Sequence, residues 1–313
     1  MSAKTNKYRL VTQADFDGMV CSVLLTELGI IDDTLLVASK DIQNGLFVPG
    51  DHDILANLPY HKNAYLVFDH HIGEMLRMGN NCQNLVINPG FSSARVIHSY
   101  FNGQKKCPLF PRTLLECADN FAYARFSIDD ILHPKDWVLI NFLIDHRTRL
   151  DKLKEFKLSH EKFFSSLCGV CVNTPIGDIM EMSCVRDRAN TYFNHQNEFK
   201  AQLRRCSMVV ENVSVVDYTN EDTVYIGNRF MIYAMFPKTE LSVHITKDGD
   251  GRTATFACGK SVLNRGNPVN IGEIMRKYGG GGHSNAGAFR VDIAFKEQIQ
   301  QELLEQLIEG GYY

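Results

Sequence analysis

Three short stretches of this chain carry residue types that could do chemistry together. The first is Asp15-Phe16-Asp17-Gly18, in which two carboxylates two residues apart precede a glycine. Placed in a strand-to-helix turn, both carboxylates can face the mouth of a sheet while Gly18 lets the backbone bend sharply into the helix. Hard divalent cations favour such oxygen ligands. The plain alternative is a helix N-cap with an acidic first turn. The second stretch, Asp69-His70-His71, follows the apolar run Leu66-Val67-Phe68. It offers one imidazole as a metal ligand, a second for phosphate, and an acid to orient a ring. The third is the run Gly279-Gly280-Gly281-Gly282-His283. Consecutive glycines expose backbone N–H groups to an anion, and His283 adds a donor that strengthens where negative charge develops. A bare loop is the competing explanation.

Chemistry needs elements that hold these residues in place. Residues 9–12 read as a strand and residues 19–29 as an apolar helix closed by glycine, which sets the acidic turn at a strand's C-terminal end. Open α/β sheets place their ligands there. Residues 34–38, 64–68 and 85–88 read as further strands and 92–101 as a helix, so strands alternate with helices and imply a parallel, helix-flanked sheet. Helices are expected over 111–124 and 137–143, and a long polar helix over 187–205 suits a connector. Beyond Cys206 the texture becomes β-rich, with strands expected over 208–218, 230–236, 241–246 and 253–259 and a closing helix over 295–309. The expected fold is therefore α/β: an N-terminal parallel-sheet domain over 1–190, a linker helix over 191–206 and a smaller α/β domain over 207–313.

A chain of 313 residues, 44% apolar and 22% charged, has room for two buried cores and no compositional sign of disorder. The polar start lacks a signal-peptide core and no run reaches membrane-helix length, so a cytoplasmic protein with no membrane partner is expected. Nine scattered cysteines fit reduced thiols better than a disulfide framework, and Cys168 and Cys171 lack a second pair to complete a zinc site. The net charge of −3 argues against coating long nucleic acid. Residues 11–75 hold ten acidic groups against two basic, whereas 247–290 hold seven basic against three acidic. An acidic half that holds cations and a basic half that holds an anionic substrate would give this pattern.

The order and separation of the three stretches resemble the DHH phosphoesterase superfamily with its DHH-associated C-terminal domain. The resemblance covers nearly the whole chain and is closest to the exopolyphosphatase-related and short-oligonucleotide-hydrolysing branches. It implies two divalent cations, most typically manganese, held by the first domain. Asp15 and Asp17 would each hold one, Asp53 would bridge them with Asp51 as substitute, and His70 would be a further ligand. Asp119 matches the fourth motif, with Asp145 as second candidate. The resemblance implies catalytic roles for His71, which would meet the phosphate, for Asp69 behind it and for His283, and substrate contacts for Asn264, Arg265, Gly280, Gly281, Gly282 and His283. Many members carry a histidine or aspartate just before the first motif; here the residue is Gln13, a neutral and poorer ligand.

The expected reaction is metal-assisted hydrolysis of linear dinucleotides or very short oligoribonucleotides, pGpG among them, to mononucleotides. The alternatives are hydrolysis of polyphosphate or pyrophosphate on the same metals and an inactive nucleotide-binding homologue. Tyr278 and Phe289 could stack on bases, although core packing is the commoner role of such residues. A homodimer is compatible with all of this.

Overall fold

The structure is a computed structural model and describes residues 7–71, 82–249 and 251–310. The chain divides into two compact units, one of Met1–Arg125 with Pro134–Thr191 and the other of Phe126–His133 with Tyr192–Tyr313. Among the described residues no helix is long and apolar enough to cross a membrane.

The first unit is built on five parallel strands, β1 (Tyr8–Thr12), β2 (Ile31–Leu36), β3 (Asp53–Ala56), β4 (Leu66–Asp69) and β5 (Leu85–Ile87), in the order β2-β1-β3-β4-β5. The chain runs outward from β1 to β2 and then returns to the other side of β1. The strand order therefore reverses between β1 and β3, the point at which open α/β sheets bind ligands. Successive residues of a strand face opposite sides. Val11, Leu55 and Val67 accordingly pack with Ile42, Leu58 and Ala64 on one face. The helix Phe16–Glu27 is buried from Phe16 through Leu25 and packs against helices Ser93–Tyr100, Arg112–Ala122 and His160–Val170. Apolar residues all round it match a helix enclosed on every side.

The second unit is a six-stranded mixed sheet: β6 (Ser207–Val210), β7 (Val213–Asp217), β8 (Leu241–Lys247), β9 (Thr253–Lys260), β10 (Gly281–His283) and β11 (Ala286–Asp292), in the order β10-β11-β9-β8-β7-β6. Only β7 and β8 run parallel. Val213, Val215, Val243, Ile245, Phe256 and Phe289 form its core with residues of the helices Ile271–Lys277 and Lys296–Glu309. Residues 126–133 belong to this unit although they precede the expected boundary. The Asn228 amide donates to the Ile131 carbonyl at 3.1 Å and to the Tyr192 hydroxyl at 2.8 Å, and Phe126 packs on Phe230 at 5.0 Å. The polar helix expected over 187–205 is two helices, Ser183–Asn194 and Gln196–Cys206. The strand expected over 230–236 is instead the short helix Met231–Met235, since Met231, Ile232 and Tyr233 are all buried and leave no alternation for a strand.

Candidate metal centre and phosphate site

The acidic turn follows β1. Thr12 donates its hydroxyl to the Ala56 carbonyl at 2.9 Å, and the Gln13 amide donates to the Asn57 carbonyl at 2.7 Å, so the C-terminal ends of β1 and β3 are tied together. Asp15 caps the helix Phe16–Glu27 by accepting the Gly18 N–H at 2.8 Å, and its second oxygen accepts from the Asn57 amide at 2.8 Å. Asn57 takes the left-handed conformation, φ 56°, that turns its side chain back to this edge. A Cβ on Gly18 would sit 2.2 Å from the Gln13 carbonyl oxygen, so only glycine fits the bend.

Asp17 reaches across to a second helix. Its two oxygens accept the backbone N–H groups of Ser93 and Ala94, each at 2.9 Å, at the positive N-terminal end of Ser93–Tyr100. His70 stands beside it, with Nδ1 3.0 Å from Ser93 Oγ and 3.6 Å from Asp17 Oδ2. His71 turns its Nδ1 to Asp69 Oδ1 at 2.7 Å. Asp69, His70 and His71 each bring a ligand atom within 4.8 Å of the other two. These five residues, Asp15, Asp17, Asp69, His70 and His71, meet at one edge of the sheet.

Their electrostatics favour a cation. Burial, followed by the charge of Asp15, pushes Asp17 up to about 7 against the opposing Ala94 and Ser93 N–H groups. Burial also raises Asp15, opposed by the Gly18 N–H and the Arg147 charge and reinforced by Asp145. Burial works against charge on His71, but its hydrogen bond to Asp69 and the charges of Asp69, Asp17 and Asp15 outweigh it and raise its pKa. Asp69 Oδ2 is buried without a hydrogen-bond partner. Carboxylates crowded in low dielectric resist ionising together unless a positive ion joins them. The carboxylate and imidazole donor set, with that orphaned oxygen, fits a divalent cation.

Of the expected ligands, Asp53 lies at the opposite edge of the sheet and Asp119 is spent on other partners. Asp53 is the first residue of β3, at the N-terminal edge of the sheet, where it pairs with Arg9 at 2.8 and 3.1 Å and accepts the Gly50 N–H. Four residues of strand, about 13 Å, separate it from Asn57, the residue after β3 that does reach the cluster. Asp51 precedes Asp53 on the same side and is exposed. Asp119 is occupied: one oxygen accepts the Ser92 N–H and hydroxyl at 2.9 and 2.8 Å, and the other pairs with Arg95 at 2.7 Å. The neighbour of Asp15 is Asp145, which is buried, follows the helix Asp136–Ile144, and binds Arg147 Nε at 2.6 and 2.9 Å. Asn57, Ser93 and Arg147 had no acidic signature to single them out. Gln13 serves as a tie to the β3 loop.

In the second unit, Asn264 and Arg265 lie on the loop after β9. Ser261 Oγ accepts the Asn264 N–H at 3.0 Å, and Arg265 Nε donates to the Val262 carbonyl at 2.9 Å. His283 ends β10, exposed at the hairpin tip, where its Nδ1 accepts the Asn285 N–H at 3.3 Å. Backbone bonds from Lys260 N to the Asn285 carbonyl and from Ile271 N to the Ser284 carbonyl hold loop and tip together. The glycine run is more closely packed than an open anion nest. The Gly279 and Gly280 N–H groups close the preceding helix on the Arg276 and Met275 carbonyls. A Cβ on Gly280 or Gly282 would strike the Ala288 or Ala286 carbonyl at 2.2 or 2.3 Å. Gly281 has open space beside it. Phe289 is buried and stacks between Tyr278 at 4.6 Å and Phe256 at 4.9 Å, so these rings belong to the core.

No family model matches the chain, and no curated protein does. Among solved structures it is similar to the pGpG-specific phosphodiesterase PggH of Vibrio cholerae, with 39% identity over 97% of this chain and 100% of that one and a TM-score of 0.78. It shares its fold with an exopolyphosphatase-related protein of Bacteroides fragilis, at 12% identity, 98% and 94% coverage and a TM-score of 0.54. It does so too with RecJ of Thermus thermophilus, at 10% identity, covering 98% of this chain and 53% of RecJ with a TM-score of 0.51. The chain belongs to the DHH phosphoesterase family.

Proposed function

We propose that this protein hydrolyses linear dinucleotides such as pGpG, and very short oligoribonucleotides, to mononucleotides. The observation that carries this reading is the full-length similarity, at 39% identity, to a pGpG-specific phosphodiesterase. The converging carboxylates and imidazoles of the first unit supply a chemical reason for it.

Asp15, Asp17 and His70 would hold divalent cations, with Asp69 and Asp145 beside them. Manganese suits a mixed set of carboxylate and imidazole donors, and RecJ, which shares the fold, was solved with Mn2+. When bound, such ions supply Lewis acidity toward the phosphate and offset charge as the ester bond breaks. The protein positions and neutralises. His71, with Nδ1 held by Asp69 and its pKa raised by that hydrogen bond and the nearby carboxylates against the effect of burial, is oriented to donate from its other ring nitrogen to a phosphoryl oxygen. Arg147, fixed by Asp145, adds a second positive charge near Asp15. In the second unit, Asn264, Arg265 and His283 are the residues we assign to substrate contact, with Gly281 and Gly282 shaping the hairpin that carries His283.

A panel of pGpG, longer RNA, cyclic dinucleotides and polyphosphate, each incubated with Mn2+ and the purified chain, tests the reading. Mononucleotide release from pGpG, abolished by Asp17→Asn, is expected. Phosphate release from polyphosphate with pGpG untouched would refute it in favour of phosphoanhydride hydrolysis, and no turnover of any substrate would leave a binding protein.

A further inference from the structure

The two sides of the candidate metal centre are built differently. On one side Asp69 is 1% exposed, with Oδ1 2.7 Å from His71 Nδ1 and Oδ2 without a hydrogen-bond partner. Among the described residues, Asp69, His70 and His71 are the one group of three or more candidate ligands whose donor atoms all lie within 4.8 Å of one another. Asp17 joins them through Oδ2, 3.6 Å from His70 Nδ1. A buried carboxylate oxygen left unpaired is costly, and a cation beside it removes that cost.

On the other side both oxygens of Asp15 already accept: Oδ1 from the Gly18 N–H and Oδ2 from Asn57 Nδ2, each at 2.8 Å. An ionised carboxylate only accepts, so the Asn57 amide must turn its NH2 to Asp15. Its backbone fixes that orientation. Asn57 is buried at φ 56°, its N–H donates to the Phe68 carbonyl at 3.1 Å, and its carbonyl accepts from the Gln13 amide at 2.7 Å. The ends of β1 and β3 thus bring two neutral carboxamides, Gln13 and Asn57, to this side. Asp145, the further carboxylate near Asp15, is bound by Arg147 Nε at 2.6 and 2.9 Å, and the Arg147 charge also acts on Asp15. A cation at Asp15 would therefore meet less uncompensated negative charge than one at Asp69 and Asp17, and cation affinity follows the charge count of the ligands.

We propose that the centre holds its cations unequally: one tightly, at Asp17, Asp69 and His70, and a second, at Asp15, only when a phosphate completes its ligand set, because Asn57 and Arg147 stand where further carboxylate charge would be needed. A phosphate oxygen supplies the negative charge that the Asn57 amide lacks. Asn57 is in these terms a positioning residue, which orients Asp15 and limits the charge beside it. That a nucleotide brings the phosphate rests on the phosphodiesterase reading above; the inequality of the two positions rests on the side chains alone.

Mn2+ titrated calorimetrically into the metal-free full chain, alone and with millimolar GMP, tests this without turnover, since GMP carries a phosphate but no phosphodiester. A blank of Mn2+ into GMP removes the nucleotide's own binding. One tight equivalent is expected, with a second at least about tenfold weaker that GMP strengthens about tenfold or more. Two equivalents of equal affinity, or a second that GMP leaves unchanged, would overturn the proposal. Asp15→Asn should keep the tight equivalent at its wild-type affinity; its loss there would contradict the assignment of the tight position. Asn57→Asp, which the left-handed backbone accepts, sets a carboxylate against Asp15. It should lower the urea midpoint of the metal-free chain and strengthen the second equivalent about tenfold. A folded Asn57→Asp variant with the second equivalent unchanged would refute the part given to Asn57, and if that variant does not fold the Asp15→Asn titration decides. Unequal Mn2+ binding without pGpG hydrolysis would sink the function reading while leaving the inequality intact.

Discussion

Substituting Asp17 by asparagine should stabilise the metal-free chain at neutral and alkaline pH while removing its response to metal. Asp17 titrates near 7 in the folded chain against 3.8 for an ordinary aspartate, a difference of roughly 3 pH units. At 1.36 kcal/mol per unit, keeping it ionised costs the folded state about 4 kcal/mol. The sign follows from the raised value: the cost is absent below about pH 4, grows as pH rises between the unfolded and folded pKa values, and is complete above about 7. The asparagine side chain offers one acceptor to the Ser93 and Ala94 N–H groups, which both bond Asp17 now, so one buried donor is lost at about 1–3 kcal/mol. The net gain should be on the order of 1–3 kcal/mol at pH 8, turning to a loss near pH 4. Urea unfolding at pH 4, 6 and 8, with chelator or with Mn2+, measures it. Wild type should be strongly stabilised by Mn2+ at pH 8 and Asp17→Asn scarcely at all. Equal destabilisation of the variant at every pH, or a wild-type chain indifferent to Mn2+, would refute the reasoning.

Other outcomes follow from the same geometry. Gly18→Ala drives a Cβ into the Gln13 carbonyl and should cost about 2 kcal/mol or more, with loss of hydrolysis, by thermal melting and assay. Asp69→Asn removes the carboxylate charge that raises the His71 pKa. With His71 donating to the phosphate in its protonated form, the alkaline limb of the pH–rate profile should move to lower pH; an unmoved limb would exclude this role for His71. Lys296→Met removes the partner that holds Asp217 at 2.6 Å, leaving it only the Thr219 N–H and hydroxyl, and should destabilise the second unit by about 1–3 kcal/mol without altering Mn2+ affinity, as read by melting and calorimetry.

Much of the candidate site's placement was legible because its residues end strands that read clearly. The apolar runs before Asp15 and Asp69 fix both at the C-terminal edge of a parallel sheet. Asp53 failed for the complementary reason. Strand β3 is only four residues long and starts at Asp53, so an aspartate that precedes the strand's apolar residues falls at the wrong edge, and the residue after it, Asn57, carries no charge to draw notice. Asp119 and Asp145 both belong to helical segments or their ends, and only the tertiary structure shows that Asp119 is consumed by Ser92 and Arg95 while Asp145 neighbours Asp15. In the second unit the glycines read as anion donors, whereas close packing of β10 on β11 and of the preceding helix accounts for Gly280 and Gly282. Sequence spacing carries no trace of such cross-strand distances.

The most direct test is calorimetric Mn2+ affinity of the wild-type chain beside Asp17→Asn and Asp53→Asn. A centre at the C-terminal edge of the first sheet requires binding to weaken about 100-fold or more in Asp17→Asn and to stay at the wild-type value in Asp53→Asn. Strong weakening in Asp53→Asn, with Asp17→Asn unaffected, would place the metal elsewhere.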